Sequence, residues 1–191
     1  MLRLITAACC LVVLSGCVST RLQQPAGGWS MRVQTLQHAN TWTLAGRAAV
    51  AAGAQGWQAS LDWRQSTASS ELHLSGPLGI GAQVMTQTAD GLSINGAAPN
   101  PAALAQLQDR LGFELPIGDL RYWLLGIPDP GSTFDLQRND QDRAQHLVQA
   151  GWSIDYDRYM AVGGDVLPAH IVLTRDAVRV RIVVDHWELH P

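Results

Sequence analysis

The side chains best suited to chemistry in this 191-residue sequence are few and scattered. His186 and His190 stand four apart with Trp, Glu and Leu between them, so the H-E-x-x-H arrangement of a zinc peptidase is absent. Four residues of strand span about 13 Å, too far for two imidazoles to share a metal ion. Asp155 and Asp157 fall on one face of a strand about 6.6 Å apart, a separation that a glycoside hydrolase can use. The opposite parity, however, carries Trp152, Ile154 and Tyr156. That side is the core side, which puts the two aspartates on a solvated face. No G-x-S-x-G, Walker or G-x-G-x-x-G pattern occurs, since Gly79-Ile80-Gly81 lacks the third glycine. The other histidines have no Cys or carboxylate cluster near them in sequence. The expectation is a protein without catalytic residues, metal or cofactor.

Cys17 is the exception, because its context predicts a covalent modification. Met1-Leu2-Arg3 is a short positive start, and Leu4 to Leu14 follows without a charge. Eleven residues rise about 16 Å as a helix, roughly half a bilayer core, which is the size of a signal-peptide apolar region and not of a permanent span. The run ends in Leu14-Ser15-Gly16-Cys17, a tetrapeptide that resembles the bacterial lipobox, in which the Cys is acylated and becomes the new N-terminus. Cleavage there removes residues 1–16, including Cys9, Cys10 and Arg3. The single remaining thiol would carry lipid, leaving no disulfide. With about 0.8 kcal/mol per buried methylene, several acyl chains on one residue make a lasting membrane anchor. Residues 17–28, polar and with Pro25 and a Gly pair, read as a lipidated tether, of which Val18 to Gly28 reaches roughly 36 Å when extended.

The elements that would follow are mostly strands. A helix is expected over Trp29 to Ala39, then alternating stretches over Thr41–Ala51, Gly56–Gln65, Ser70–Ser75, Ala82–Ala89 and Leu92–Asn95. Trp57, Leu61 and Trp63 share one parity of the second stretch, and Leu72 and Leu74 one parity of the third. The period then changes. Asn100 with Pro101 starts a helix that carries Leu104, Leu107 and Leu111, and a short helix over Gly118–Leu125 carries Leu120, Trp123 and Leu124. Strands resume over Gln145–Gln149, Trp152–Tyr159, Ala169–Thr174 and Val178–Leu189, the last with Ile182 and Val184 on its apolar parity. This predicts one domain over 29–191, mainly antiparallel β with a helical insertion. Such a sheet, with an apolar face and few helices to cover it, must curl or leave a hollow with an apolar lining. Leu78 stands apart, in a Gly-Pro-Leu-Gly-Ile-Gly loop with little neighbouring chain to pack on.

Composition agrees with work beside apolar matter. Charged residues are 15% of the chain, against about a quarter in ordinary globular domains. All 13 basic residues are arginine, and the net charge of −3 argues against a nucleic-acid partner.

Taken in order, Leu14-Ser15-Gly16-Cys17, Trp42-Thr43-Leu44-Ala45-Gly46-Arg47-Ala48, Leu61-Asp62-Trp63-Arg64-Gln65, Gly76-Pro77-Leu78-Gly79, Leu111-Gly112 with Leu115-Pro116, and Trp123-Leu124-Leu125-Gly126-Ile127-Pro128 resemble the outer-membrane lipoprotein receptor family LolB. Gly151-Trp152 with Tyr156 and Tyr159, Leu167-Pro168 and Asp185-His186-Trp187 extend the resemblance over about Trp29 to Leu189. It implies an open, unclosed β-barrel with a helical lid over an apolar cavity. That cavity would receive the acyl chains of client lipoproteins from the periplasmic carrier LolA, and the protein would insert them into the inner leaflet of the outer membrane without nucleotide hydrolysis. By resemblance, Val18 after the modified Cys directs a monomeric protein to the outer membrane of a Gram-negative bacterium, on its periplasmic face. Pro77, Leu78 and Gly79 match the family's membrane-insertion loop. The candidates for the acyl-chain cavity are Trp57, Leu61, Trp63, Leu72, Leu74, Leu104, Leu107, Leu111, Leu120, Trp123, Leu124, Trp152, Ile154, Tyr156, Ile182 and Val184. Rival readings are a soluble, carrier-like lipid-binding protein, disfavoured by Cys17, and a lipid-anchored hydrolase, disfavoured by the missing nucleophile and base.

Overall fold

A computed structural model describes residues 28–77, 81–111 and 113–190. The chain begins with helix α1 (Gly28–Gln37), followed by strands β1 (Trp42–Ala52), β2 (Gln55–Gln65), β3 (Ser70–Ser75), β4 (Gln83–Thr88) and β5 (Gly91–Ile94). Helices α2 (Pro101–Leu111) and α3 (Ile117–Leu124) interrupt the strands. Then come β6 (Phe134–Arg138), β7 (Ala144–Gln149), β8 (Trp152–Val162), β9 (Asp165–Arg175) and β10 (Val178–Leu189). The ten strands form one sheet in the order β5-β4-β3-β2-β1-β10-β9-β8-β7-β6, every pair antiparallel. The first and last strands meet in the middle, and β5 and β6 are the two free edges. The result is an open barrel in which the helical insertion connects the two edge strands: the strands and the insertion follow the sequence pattern, and the open barrel is what the family resemblance implies.

Two features of the sheet lie below the resolution of the pattern. β6 is exposed along most of its length and has no continuous apolar face, because an edge strand packs on one neighbour only. No sequence signal marks it. The second is a bulge where β1 meets β10. Ala45 pairs with His186 and Gly46 with Val184, which leaves Asp185 as the extra residue. The bulge resets the parity of β10, so that Val180, Ile182 and Val184 point inward before it and Trp187 after it. Glycine is required opposite the bulge, since a Cβ on Gly46 would lie 2.3 Å from the carbonyl oxygen of Val183. The expelled Asp185 meets Arg47 on the outer surface at 2.8 and 3.1 Å.

The inward side chains make one core. Trp42 stacks on Trp63 at 5.9 Å between centroids and meets Trp187 at 5.3 Å. α1 docks on the β8–β9 hairpin through buried Leu36 and through Arg32, whose guanidinium donates to the carbonyl of Val166 at 2.5 Å. Burial holds the Arg32 pKa below its ordinary value. α2 begins as expected of its sequence: the Asn100 side chain accepts from the Ala102 amide at 2.9 Å, an N-cap.

Candidate functional site

The helical insertion folds back over the concave face of the sheet and encloses a cavity beneath it. Every residue lining this space is apolar. Ala48 and Val50 of β1, Trp57, Leu61 and Trp63 of β2, and Leu72 and Leu74 of β3 form one wall. Val180 and Ile182 of β10, Leu173 of β9 and Trp152 of β8 form the other. The roof is Phe113, Leu115 and Pro116, leading into α3, with Leu120 and Leu124 from its inner stripe. The walls arise from strand alternation and the α3 part of the roof from helical spacing, which is why these residues converge from six strands, one helix and the segment that leads into it.

The enclosed volume is about 40 Å³. A cavity of about 150 Å³ is the scale that admits benzene, so the space as it stands is closed to an acyl chain. A second, more open groove of about 120 Å³ shares Trp57 and Leu74 with the cavity and runs past Ala59, Met85 and Leu107 to Gly76 and Gly81. The apolar track therefore leads from under the lid to the two ends of the Gly76–Gly81 loop.

The lid is held at one end. The Trp123 indole donates to Gln149 Oε1 at 2.9 Å, and the Tyr156 hydroxyl donates to the Trp123 carbonyl at 3.0 Å. Gln149 also accepts from the Asp129 amide at 2.9 Å and donates to the Asp129 carbonyl at 2.7 Å, fastening the turn after α3 to β7. Just beyond the helix, Gly126 adopts φ 74°, and a Cβ there would come within 2.9 Å of Pro168. Burial pushes the Tyr156 phenol well above its ordinary pKa, with Tyr159 adding to the effect, so it remains a donor. The N-terminal side of the roof, Phe113 to Pro116, is joined to the sheet by packing, including an edge contact of Phe113 with Trp152 at 5.9 Å. The C-terminal end of α3 is thus fastened to the sheet by hydrogen bonds and, among the described residues, the segment ahead of the helix by apolar packing alone.

Among the expected cavity residues, Trp57, Leu61, Trp63, Leu72, Leu74, Leu120, Leu124, Trp152 and Ile182 line the space. Leu107 lines the adjoining groove, Leu104 is partly buried on α2, and the side chain of Leu111 lies outside the described residues. Trp123, Ile154, Tyr156 and Val184 are buried but not in the lining. Trp123 and Tyr156 are instead joined by the hydrogen bond at the end of α3, and Val184 faces Gly46 at the bulge. Ala48, Val50, Phe113, Leu115, Pro116, Leu173 and Val180 complete the lining and were not among the expected ones. Val180 lies across from Leu173, so the β10 alternation leads to both. Phe113 to Pro116 sits between two helices, where no periodicity marks it. Cys17, Leu78 and Gly79 lie outside the described residues, and Pro77 stands at the start of the loop, bordering the outer face of β1, β2 and β10.

The polar candidates do not assemble. Asp155 accepts His146 at 2.7 Å and Asp157 accepts His170 at 2.5 Å, all on the outer face. His186 and His190 both turn to Glu188, at 3.2 and 3.6 Å. No group of three or more His, Cys, Asp or Glu able to hold a metal ion occurs among the described residues. No described helix is long and apolar enough to cross a membrane.

The open antiparallel barrel with helices over its concave face is a fold shared with a solved structure. A LolA superfamily protein from Nitrosomonas europaea has a similar structure, with a TM-score of 0.53 over 87% of this chain and 95% of that one at 10% identity. A family model described as "Outer membrane lipoprotein LolB" matches residues 40–187. Proteins named "Outer-membrane lipoprotein LolB" are 32% identical in Nitrosococcus oceani, over 94% of both chains, and 32% identical in Pseudomonas aeruginosa, over 98% of this chain and 96% of that one. The chain belongs to the LolB family of outer-membrane lipoproteins, whose work is lipoprotein localization.

Proposed function

We propose that this chain is the receptor that takes lipoproteins from the periplasmic carrier LolA and places them in the inner leaflet of the outer membrane. The observation that carries the reading is the cavity, lined only by apolar side chains and roofed by a lid hydrogen-bonded to the sheet at one end. An acyl chain of about sixteen carbons costs on the order of 12 kcal/mol to expose to water, so the client passes from one sheltered space to another. Entry lifts Phe113, Leu115 and Leu120 off the sheet while Trp123, Gln149 and Tyr156 keep the lid attached, and the displaced apolar surface finds the acyl chain as its new partner.

Direction comes from relative affinity. The cavity holds the chain more tightly than the carrier does, and the bilayer holds it more tightly still. No covalent bond changes and no nucleotide is consumed. Cys17, lipidated, keeps the protein at the outer membrane on its periplasmic face, and the Pro77-Leu78-Gly79 loop delivers the client to lipid. The groove from the cavity toward Gly76 and Gly81 supports that route. The test is reconstitution: purified carrier loaded with a lipoprotein, mixed with this protein in liposomes. Transfer to the liposomes only when this protein is present is the expected result. Equal insertion without it refutes the reading.

A further inference from the structure

The outer face of the sheet carries charges of both signs, most of them paired. On β8 it carries Asp155 and Asp157, each against a histidine. On β10, β1 and β2 it carries an open trough of about 370 Å³, bordered among others by Arg47, Ala49, Gln58, Ser60, Pro77 and Arg181. Small side chains create the trough. Ala49 on the middle strand stands between Arg181 and Gln58, and Ala51 stands between Arg179 and Gly56. With no bulk across from it, Arg181 is exposed along one wall, Pro77 borders the same space, and Arg179, two residues earlier on β10, is exposed just outside the lining.

These two arginines are not balanced locally. The carboxylates of their own hairpin and strand are Asp176, 3.9 Å from Arg175, Asp185, paired with Arg47, and Glu188, against His186 and His190. Among the described residues neither Arg179 nor Arg181 has an ion-pair partner. In a chain of net charge −3 this is a local positive stripe next to the loop that the proposed function sends to the membrane. A guanidinium is a planar fork that matches phosphate in two hydrogen bonds, and a trough floored with alanine lets a headgroup approach that fork from the open side.

We propose that this trough binds phospholipid phosphates at the bilayer surface, and so fixes which face of the protein lies on the membrane while the Pro77 loop works. The inference rests on the membrane-delivery reading above. The loop then acts beside a face already held against the headgroups, and the mouth of the cavity keeps a constant bearing toward lipid.

The test uses the mature chain with Cys17→Ala, so that the acyl anchor does not mask weaker contacts. Its partition onto vesicles of phosphatidylcholine with 30% phosphatidylglycerol, about the anionic content of a strongly charged leaflet, is measured against vesicles of phosphatidylcholine alone. Arg179→Gln with Arg181→Gln is expected to weaken binding to the anionic vesicles about twenty-fold, and to flatten its dependence on salt. Arg158→Gln, on the exposed part of β8, is the control for charge alone and is expected to change binding less than twofold. Equal binding by the double variant and the parent overturns the proposal, as does an equal loss per charge in the Arg158 control. If vesicle binding is unchanged but handover from the carrier slows, the trough is a protein-docking face and the lipid assignment is wrong. Capture of a client acyl chain in solution is measured alongside. It is expected to be unaffected by the double variant, and its absence in the parent chain refutes the receptor reading without touching the vesicle result.

Discussion

Replacing Leu61 by glutamate places a carboxyl in the middle of the cavity wall. Leu61 is 3% exposed and stands across from Gly46 on β1 and Leu74 on β3. Among the lining residues the one buried donor without a partner is the indole N–H of Trp152, so the introduced group finds almost nothing to accept from. Burial of this kind raises a carboxyl pKa by about 3–4 units, into the range of about 7–8. Keeping it neutral at pH 7 costs about 1.4 kcal/mol for each unit above the ordinary 4.3, or about 4 kcal/mol, and the lost leucine burial adds about 2. The variant is expected to fold with much of its stability spent, and a companion Leu74→Glu, at a partly buried position shared by cavity and groove, keeps the test alive if it does not. With the lid open and the cavity empty the carboxylate is hydrated, whereas a bound acyl chain strips that water away. Capture at pH 8 should therefore fall at least about a hundredfold, and should recover in part at pH 5.5, where the group is protonated. The assay is retention of a labelled lipoprotein by the folded variant, with circular dichroism as the check on folding. Capture at the parental level at pH 8 by a folded Leu61→Glu or Leu74→Glu chain refutes the account of the cavity.

Four further outcomes follow from the same structure. Leu78→Glu is expected to leave handover from the carrier intact and to slow insertion into liposomes, and equal insertion by both forms removes the assigned role of the loop. Tyr156→Phe removes the hydrogen bond to the Trp123 carbonyl, which should lower stability by about 1 kcal/mol and speed acyl-chain entry by loosening that fastening; stopped-flow capture kinetics read this directly. The folded phenol of Tyr156 titrates above its ordinary value of about 10, so stability is intact below pH 10 and is lost as pH rises toward the folded pKa, and Tyr156→Phe should flatten that alkaline fall in urea midpoints. Gly46→Ala, which pushes a Cβ onto the Val183 carbonyl, should cost about 2 kcal/mol or more in urea unfolding, and a cost under 0.5 kcal/mol would mean that the bulge is not rigid.

The alternating stretches from Trp42 to Leu74 and from Trp152 to Val184 were readable because each strand buries one face only, so its hydropathy carries a period of two. The lid helices were readable for the same reason at a period of 3.6. What escaped was β6, an edge strand with no buried face, and the Asp185 bulge, where one residue breaks the period without changing composition. The division of the buried residues between the cavity and the fastening of α3 was not legible either. Trp123 and Leu124 are neighbours on one helical stripe, yet one is fastened to Gln149 and the other lines the cavity, and only the position of β7 decides which. Phe113 and Leu115 line the roof because the chain between the helices lies across the sheet, which depends on contacts far away in sequence.

The central claim is that acyl chains occupy the space between the sheet and α3. Leu72 and His73 are adjacent on β3, the first pointing into that space and the second paired with Glu71 on the outer side. A photo-reactive amino acid at each position, irradiated during handover from a loaded carrier, separates the two faces. The account predicts a covalent adduct to the client's acyl chain from position 72 and none from position 73. Equal labelling from both, or labelling from position 73 alone, would contradict it.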